Sequence, residues 1–178
     1  MRELKTEEAR ILLSKLVKFK GKKLVNFLKI NFFSFLVFKI QKKRIFFSSL
    51  SLYSRIFNFS KKRIGSFGIC VGRFSHSKKL KFLIPLLNML LKYKGLFSAF
   101  LKTEGEKSFL FGKHVEKKNV SKLSKNVFKN DGIVLFNKNK IAIGFGEALK
   151  SIVFIPKLDL RRILFVNQGD TGLYVRSV

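Results

Sequence analysis

Basic side chains dominate the chemistry available to this chain. Lys42-Lys43-Arg44 and Lys61-Lys62-Arg63 are runs of three cations, Lys117 stands beside Lys118, and Arg161-Arg162 precedes an apolar segment. Groups of this kind neutralise phosphates or meet acidic partners, and their affinity comes from counterion release rather than from reading bases. Each cluster also has a plain structural explanation as a solvated helix face, a basic turn, or an edge charge that blocks sheet aggregation. Groups suited to proton transfer or nucleophilic attack are scarce: His76 in a hairpin loop, His114 at a strand end and Cys70 within a strand. Catalysis needs such groups to converge, and nothing in their spacing pairs them. One cysteine excludes an intramolecular disulfide, and with two histidines it falls short of a zinc site. Gly144-Phe145-Gly146 lacks the third glycine and following helix of a dinucleotide fingerprint, and the Lys-Ser or Lys-Thr of a P-loop. It reads as a tight turn or a place of close packing between strands. Gly169-Asp170-Thr171-Gly172 reads as a turn capped by its own Asp, and Glu104 and Glu106 as exposed turn residues. The inventory predicts no enzyme, no cofactor and no metal.

The charge balance points to a polyanion. Against 38 Lys and Arg there are 10 Asp and Glu, a formal charge of +28. Every acid lies between Glu3 and Glu8 or from Glu104 onward, so no carboxylate between Ala9 and Thr103 repels phosphate. An A+T-rich genome accounts for part of the Lys enrichment and the 22 Phe, but not for the loss of acids from one half. Nucleic acid is the expected partner. Hydrophobic residues make up 47% of the chain, enough for a packed core. The longest uncharged apolar stretches, 30–38, 45–54 and 82–91, are about half of a bilayer span, so no transmembrane helix is predicted. Glu3, Glu7 and Glu8 argue against a secretory signal or an acid-poor transit peptide at the start.

Several elements must position these groups. Thr6 is a candidate N-cap, with Glu7 and Glu8 in the first turn and Ala9, Leu12, Leu13, Leu16 and Val17 at helical spacing. Phe- and Ile-rich runs at 24–28, 31–40 and 44–47 predict an antiparallel meander, and 50–57 a helix. Residues 64–74 and 80–84 flank the loop 75–78 as a hairpin, and a helix over 86–94 stops at Gly95, which sets the predicted domain boundary. Beyond it come 96–101, an exposed turn at 103–107 and a strand at 108–111. A short basic helix is expected next, because Val120, Leu123 and Val127 step by three then four with Lys117, Lys118, Lys122 and Lys125 between them. Strands at 132–136, 141–143, 152–155, 163–167 and 173–175 complete the second half, with a turn at 137–140.

Several segments then carry a resemblance. Met1-Arg2 with Thr6-Glu7-Glu8, Leu110-Phe111-Gly112-Lys113-His114-Val115, Gly144-Phe145-Gly146, and the run from Phe165-Val166-Asn167-Gln168-Gly169-Asp170 through Thr171-Gly172-Leu173-Tyr174-Val175-Arg176 resemble the nuclear-import-protein-seven family in order and spacing. The match is strongest from Arg63 through Cys70-Val71-Gly72-Arg73-Phe74 and across the C-terminal half, and weakest over 20–45. That resemblance implies an α+β chain: an N-terminal α/β domain with an antiparallel sheet over 1–94, then a small, mostly-β PUA pseudo-barrel over 95–178. It further implies an RNA-binding assembly factor for the 60S ribosomal subunit and pre-rRNA processing. The partners implied are pre-ribosomal RNA and proteins of pre-60S particles, and the setting implied is the nucleus and nucleolus; a relict endosymbiont nucleus is the alternative if the composition reflects genome reduction. By the same resemblance RNA lies in a cleft between the first helix of the second domain and its last strands. Lys113, Lys117 and Lys118, with Arg161 and Arg162 beside them, are carried over as the RNA-binding residues. A monomer that binds no membrane is expected. The rivals are a permanent ribosomal protein, a peripheral membrane-surface protein and a PUA-containing RNA-modifying enzyme. The first commonly carries disordered basic tails, and the last needs a catalytic Asp or cofactor loop; neither feature stands out here.

Overall fold

A computed structural model describes residues 2–20, 36–56, 68–91 and 96–176. The expected strand at 24–28, residues 31–35 of the next one, the Lys61-Lys62-Arg63 run, residues 64–67 of the hairpin and Gly95 lie outside the described residues. Two compact units emerge: residues 1–17 with 22–86, and residues 18–21 with 87–178. No described helix is long and apolar enough to cross a membrane.

The first unit is built on helix α1 (Thr6–Lys20) and a sheet of five strands. Thr6 is the first helical residue rather than its cap. The helix start is secured by Glu8, whose carboxylate accepts the backbone N–H of Lys5 at 2.8 Å, one half of a capping box. Leu12 and Leu16, four apart on one face, are buried. Strands β1 (Arg2–Glu3), β2 (Leu36–Gln41), β3 (Arg44–Ser49), β4 (Ile69–Phe74) and β5 (Leu80–Phe82) follow one another in order across the sheet. Every pairing is antiparallel; the expected meander and hairpin account for β2–β3 and β4–β5, while β1–β2 and β3–β4 are additional. Ile40, Ile45, Val71, Leu80 and Phe82 supply the core. Helix α2 (Leu50–Ile56) follows β3, and helix α3 (Leu86–Leu91) follows β5.

The second unit is a six-stranded mixed sheet in the order β7-β11-β10-β9-β6-β8. Its strands are β6 (Ser98–Leu101), β7 (Val115–Glu116), β8 (Val120–Leu123), β9 (Gly132–Phe136), β10 (Ala142–Ala148) and β11 (Ile163–Asp170). One pair, β6 with β9, is parallel and the others are antiparallel. Phe109, Phe145 and Phe165 are wholly buried at its centre. Gly144 and Gly146 permit this packing: a Cβ would lie 2.4 Å from the Gly169 carbonyl at the first and 2.5 Å from that of Val166 at the second. Gly144-Phe145-Gly146 is therefore interior to β10, and close strand packing is its role.

Five local expectations for this half are corrected. Residues 103–111 hold helix α4 (Thr103–Leu110) instead of a turn and a strand. Gly105, which reads as a turn signal, is needed because a Cβ there would stand 2.7 Å from Asn119. The basic helix expected over 117–127 is a 3₁₀ turn, η1 (Lys117–Asn119), followed by β8. A bulge in the β6–β8 ladder pairs Phe100 with Lys122 but Leu101 with Val120. The extra residue brings Val120 and Leu123 to one face at a spacing of three, which imitates a helix. Residues 152–155 fall in a second 3₁₀ helix, η2 (Ile152–Lys157), and 173–175 in helix α5 (Leu173–Arg176). Asp170 is more than a turn cap: it is buried, binds Arg176 at 2.9 and 3.0 Å, and accepts from Asn167 at 2.9 Å.

Candidate nucleic-acid interface

In the second unit, η1 and the segment leading into β11 form one basic wall. The backbone N–H of Lys117 donates to the Arg162 carbonyl and that of Lys118 to the Leu160 carbonyl, both at 2.9 Å. The turn 159–162 closes on itself through Arg162 N–H to the Asp159 carbonyl at 3.1 Å. These bonds place Lys117, Lys118, Arg161 and Arg162 along the same edge, with both arginines exposed. Lys113 follows Gly112, whose φ of +86° turns the chain out of α4, and its own side chain is exposed. No described contact joins Lys113 to the other four.

The two lysines of η1 differ in how their charge is held. The Lys117 ammonium donates to the Pro156 carbonyl at 3.0 Å and to the Leu158 carbonyl at 2.6 Å. It therefore positions the segment between η2 and β11 in addition to supplying positive charge. Lys118 pairs with Glu116 at 3.0 Å; the lysine side chain is half exposed, whereas the carboxylate oxygen it meets is buried.

A groove of about 310 Å³ lies against this wall. Lys102, Lys117, Lys118 and Lys122 bring four cations to it, and Ile155 and Leu160 contribute apolar floor. Leu160 is 60% exposed, and so is Phe154 of η2. Lys102 and Lys122 were missed from sequence. Lys122 is exposed, as the basic-helix expectation has it, but it stands on strand β8 opposite Phe100. Lys102 directly precedes α4, and its backbone N–H is tied to Asn119 at 2.9 Å. Phe111, beside Gly112, is 73% exposed and lies apart from the residues that line the groove.

Among the described residues, no three of His, Cys, Asp and Glu come together as metal ligands. Cys70 is half-buried in β4, and burial pushes its thiol pKa up, the opposite of what a nucleophile requires. His114 accepts the Asn167 N–H at 3.3 Å through Nδ1, a structural bond at the end of α4's turn.

A five-stranded antiparallel sheet preceding a six-stranded, barrel-like sheet with short helices defines the class: an α+β protein with an N-terminal domain ahead of a PUA domain. Residues 1–84 match the family model described as NIP7/UPF0113, pre-PUA domain, and residues 98–178 match the UPF0113 PUA domain. The 60S ribosome subunit biogenesis protein NIP7 homolog of Dictyostelium discoideum is 31% identical over 177 residues, 99% of this chain and 98% of that protein. The 60S ribosome subunit biogenesis protein NIP7 of Saccharomyces cerevisiae is 30% identical over 177 residues, 99% of this chain and 97% of that one. The chain belongs to the NIP7/UPF0113 family. Among solved structures, a conserved PUA domain protein from Thermoplasma acidophilum shares the fold with a TM-score of 0.55 at 14% identity, covering 99% of this chain and 97% of that one. A PUA domain structure from Aeropyrum pernix K1 does so with a TM-score of 0.56 at 10% identity, covering 96% and 85%.

Proposed function

We propose that this chain is a non-enzymatic RNA-binding factor in assembly of the 60S ribosomal subunit, acting on pre-ribosomal RNA through its PUA domain. Near-complete coverage of relatives named for 60S biogenesis carries the assembly role. The lysine-lined groove of the second unit, together with the net charge of +28, favours RNA as the ligand. Lys118, Arg161 and Arg162 would meet phosphates, and Lys113, which does not line the groove, would add a further contact. Lys117 would hold the loop that carries the arginines, and Lys102 and Lys122 would widen the charged track. Contacts of this kind position RNA without naming its sequence. The apolar floor at Leu160 and Ile155 gives an unpaired base a surface to cover. Domains over 1–94 and 95–178 remain the proposed division of labour, with the first meeting proteins of the pre-60S particle. We further propose action in the nucleolus and a monomer in isolation; light scattering on the purified chain tests the latter, and a stable dimer rejects it.

Binding of the intact chain to single-stranded RNA across a salt series tests the groove. Replacing Lys118, Arg161 and Arg162 by Ala is expected to cut affinity several-fold and to flatten the dependence of log K on log salt by about 2, at about 0.7 per phosphate contact. Wild-type affinity and slope in that variant would remove the groove as the RNA site.

A further inference from the structure

The first unit carries a second cationic cleft, which the reading above does not use. It is a cavity of about 590 Å³ bounded by the start of α1, the β2–β3 turn and the β4–β5 turn. Lys5, Lys42, Lys43 and Lys78 line it together with His76. Two acids also line it, Glu7 and Glu8. Glu8 is already neutralised: Arg2 grips it with two nitrogens at 2.7 Å, and this bonding holds its carboxyl down to about 2. Lys42, Lys43 and Lys78 have no ion-pair partner among the described residues.

The backbone at these lysines is unusual. Gln41 pairs with Arg44, so Lys42 and Lys43 are the two central residues of a hairpin turn, with φ of 46° and 66°. Such a turn favours Asn-Gly, because a bulky side chain at positive φ is strained. Lys78, in the neighbouring turn, has φ of 57°. Three side chains round one cavity are thus held in a costly conformation, a pattern concentrated at functional sites. The two turns are also fixed to each other. Phe74 N–H donates to the Lys43 carbonyl at 2.8 Å, and the Lys43 ammonium donates to His76 Nδ1 at 3.1 Å. With Nδ1 accepting, the ring's Nε2 carries a hydrogen and is itself a donor. The result is a preorganised set of donors, ammonium groups and one imidazole N–H; Glu7 also lines the cleft, but no ion pair joins it to these lysines among the described residues.

We infer that this cleft binds a backbone phosphate of RNA, giving the first unit its own nucleic-acid contact in addition to the PUA groove. The inference rests on the RNA-binding reading. RNA is favoured over a free anion because the chain between Ala9 and Thr103 has no acid to limit an extended polyanion track.

The test uses the full chain with a mixed-sequence single-stranded RNA and a salt series. Lys42→Asn with Lys43→Gly removes two ammonium groups while installing the residues this turn prefers, so the melting temperature should hold or rise. RNA affinity should fall about fivefold and the salt slope flatten by about 1.4. Lys78→Asn, also suited to its φ, should show a smaller loss in the same direction. The Arg161→Ala, Arg162→Ala double variant runs beside them. If the wild type binds no RNA, both this inference and the RNA reading fall. If the PUA variant weakens binding while the two turn variants bind as wild type, this inference alone falls. Amide shifts at 42–43 and 75–78 on adding inorganic phosphate, with RNA affinity unchanged by the turn variants, would make the cleft a free-phosphate site and overturn its assignment to RNA.

Discussion

The two basic clefts use the same residue type in opposite ways. In the second unit, lysine charge is partly bound into the fold: Lys117 holds two carbonyls and Lys118 an acid. The cleft of the first unit presents Lys42, Lys43 and Lys78 from turns, and none of the three is ion-paired among the described residues, although the Lys43 ammonium meets His76. A basic sequence cluster therefore says little about free charge until the partners of each ammonium are known. The acids follow the same division. Those of the second half are largely engaged, as Glu147 is with Lys18 and Gln168 and Asp170 is with Arg176. Glu3 and Glu8 of the first unit serve as clamps, on Lys39 and Arg2.

The comparison can be broken most severely from the core. Phe109→Ala should cost about 4 kcal/mol, because this ring is wholly buried under β10 and Gly144 closes on it. Chemical denaturation should show the loss, with hydrogen exchange accelerated in β9, β10 and β11. Protection in the first unit's sheet should change less, which would sharpen the distinction between the units.

A smaller effect separates loop-holding from phosphate-binding. Lys117→Met keeps the aliphatic stem but removes two charged hydrogen bonds, for an expected loss of about 2 kcal/mol. Hydrogen exchange over 156–162 should rise. Unchanged protection there would return Lys117 to the role of a plain phosphate ligand.

The smallest effect concerns the clamp beside the first cleft. Glu8 titrates at about 2 when folded, against an ordinary carboxyl value near about 4.3, so its stabilising effect is complete above the higher value. It fades as pH falls through the lower one. Glu8→Gln should cost about 1 kcal/mol at neutral pH, since Arg2 is half exposed and solvent screens the pair. The difference from wild type should vanish on acidification toward pH about 2. A constant difference across that range would show that the Lys5 cap, not the ion pair, is what the substitution disturbs.

Much was legible in the residues. Helix α1, the antiparallel β2–β3 pair and the hairpin around the loop 75–78 follow from periodicity and turn chemistry, because local pattern and tertiary contact agree there. The family was legible too, since runs such as those around Gly112 and from Phe165 to Arg176 are tied to particular packing. The errors fell where a residue's reason was non-local. Gly105 looks like a turn but admits Asn119, and Val120 and Leu123 look helical because a bulge shifts their register. Of the candidate site, the charges of Lys118, Arg161 and Arg162 could be named from sequence, but Lys102 and Lys122 could not.

By itself, then, the sequence determined the charge balance that favours a polyanion and the family, because net charge and motif order are properties of the chain as written. The tertiary structure alone decided which cations converge and which are already bonded. That depends on hydrogen bonds between residues some forty positions apart, such as Lys117 to Leu158, and on turn conformations such as Lys42-Lys43 that no residue preference would have chosen.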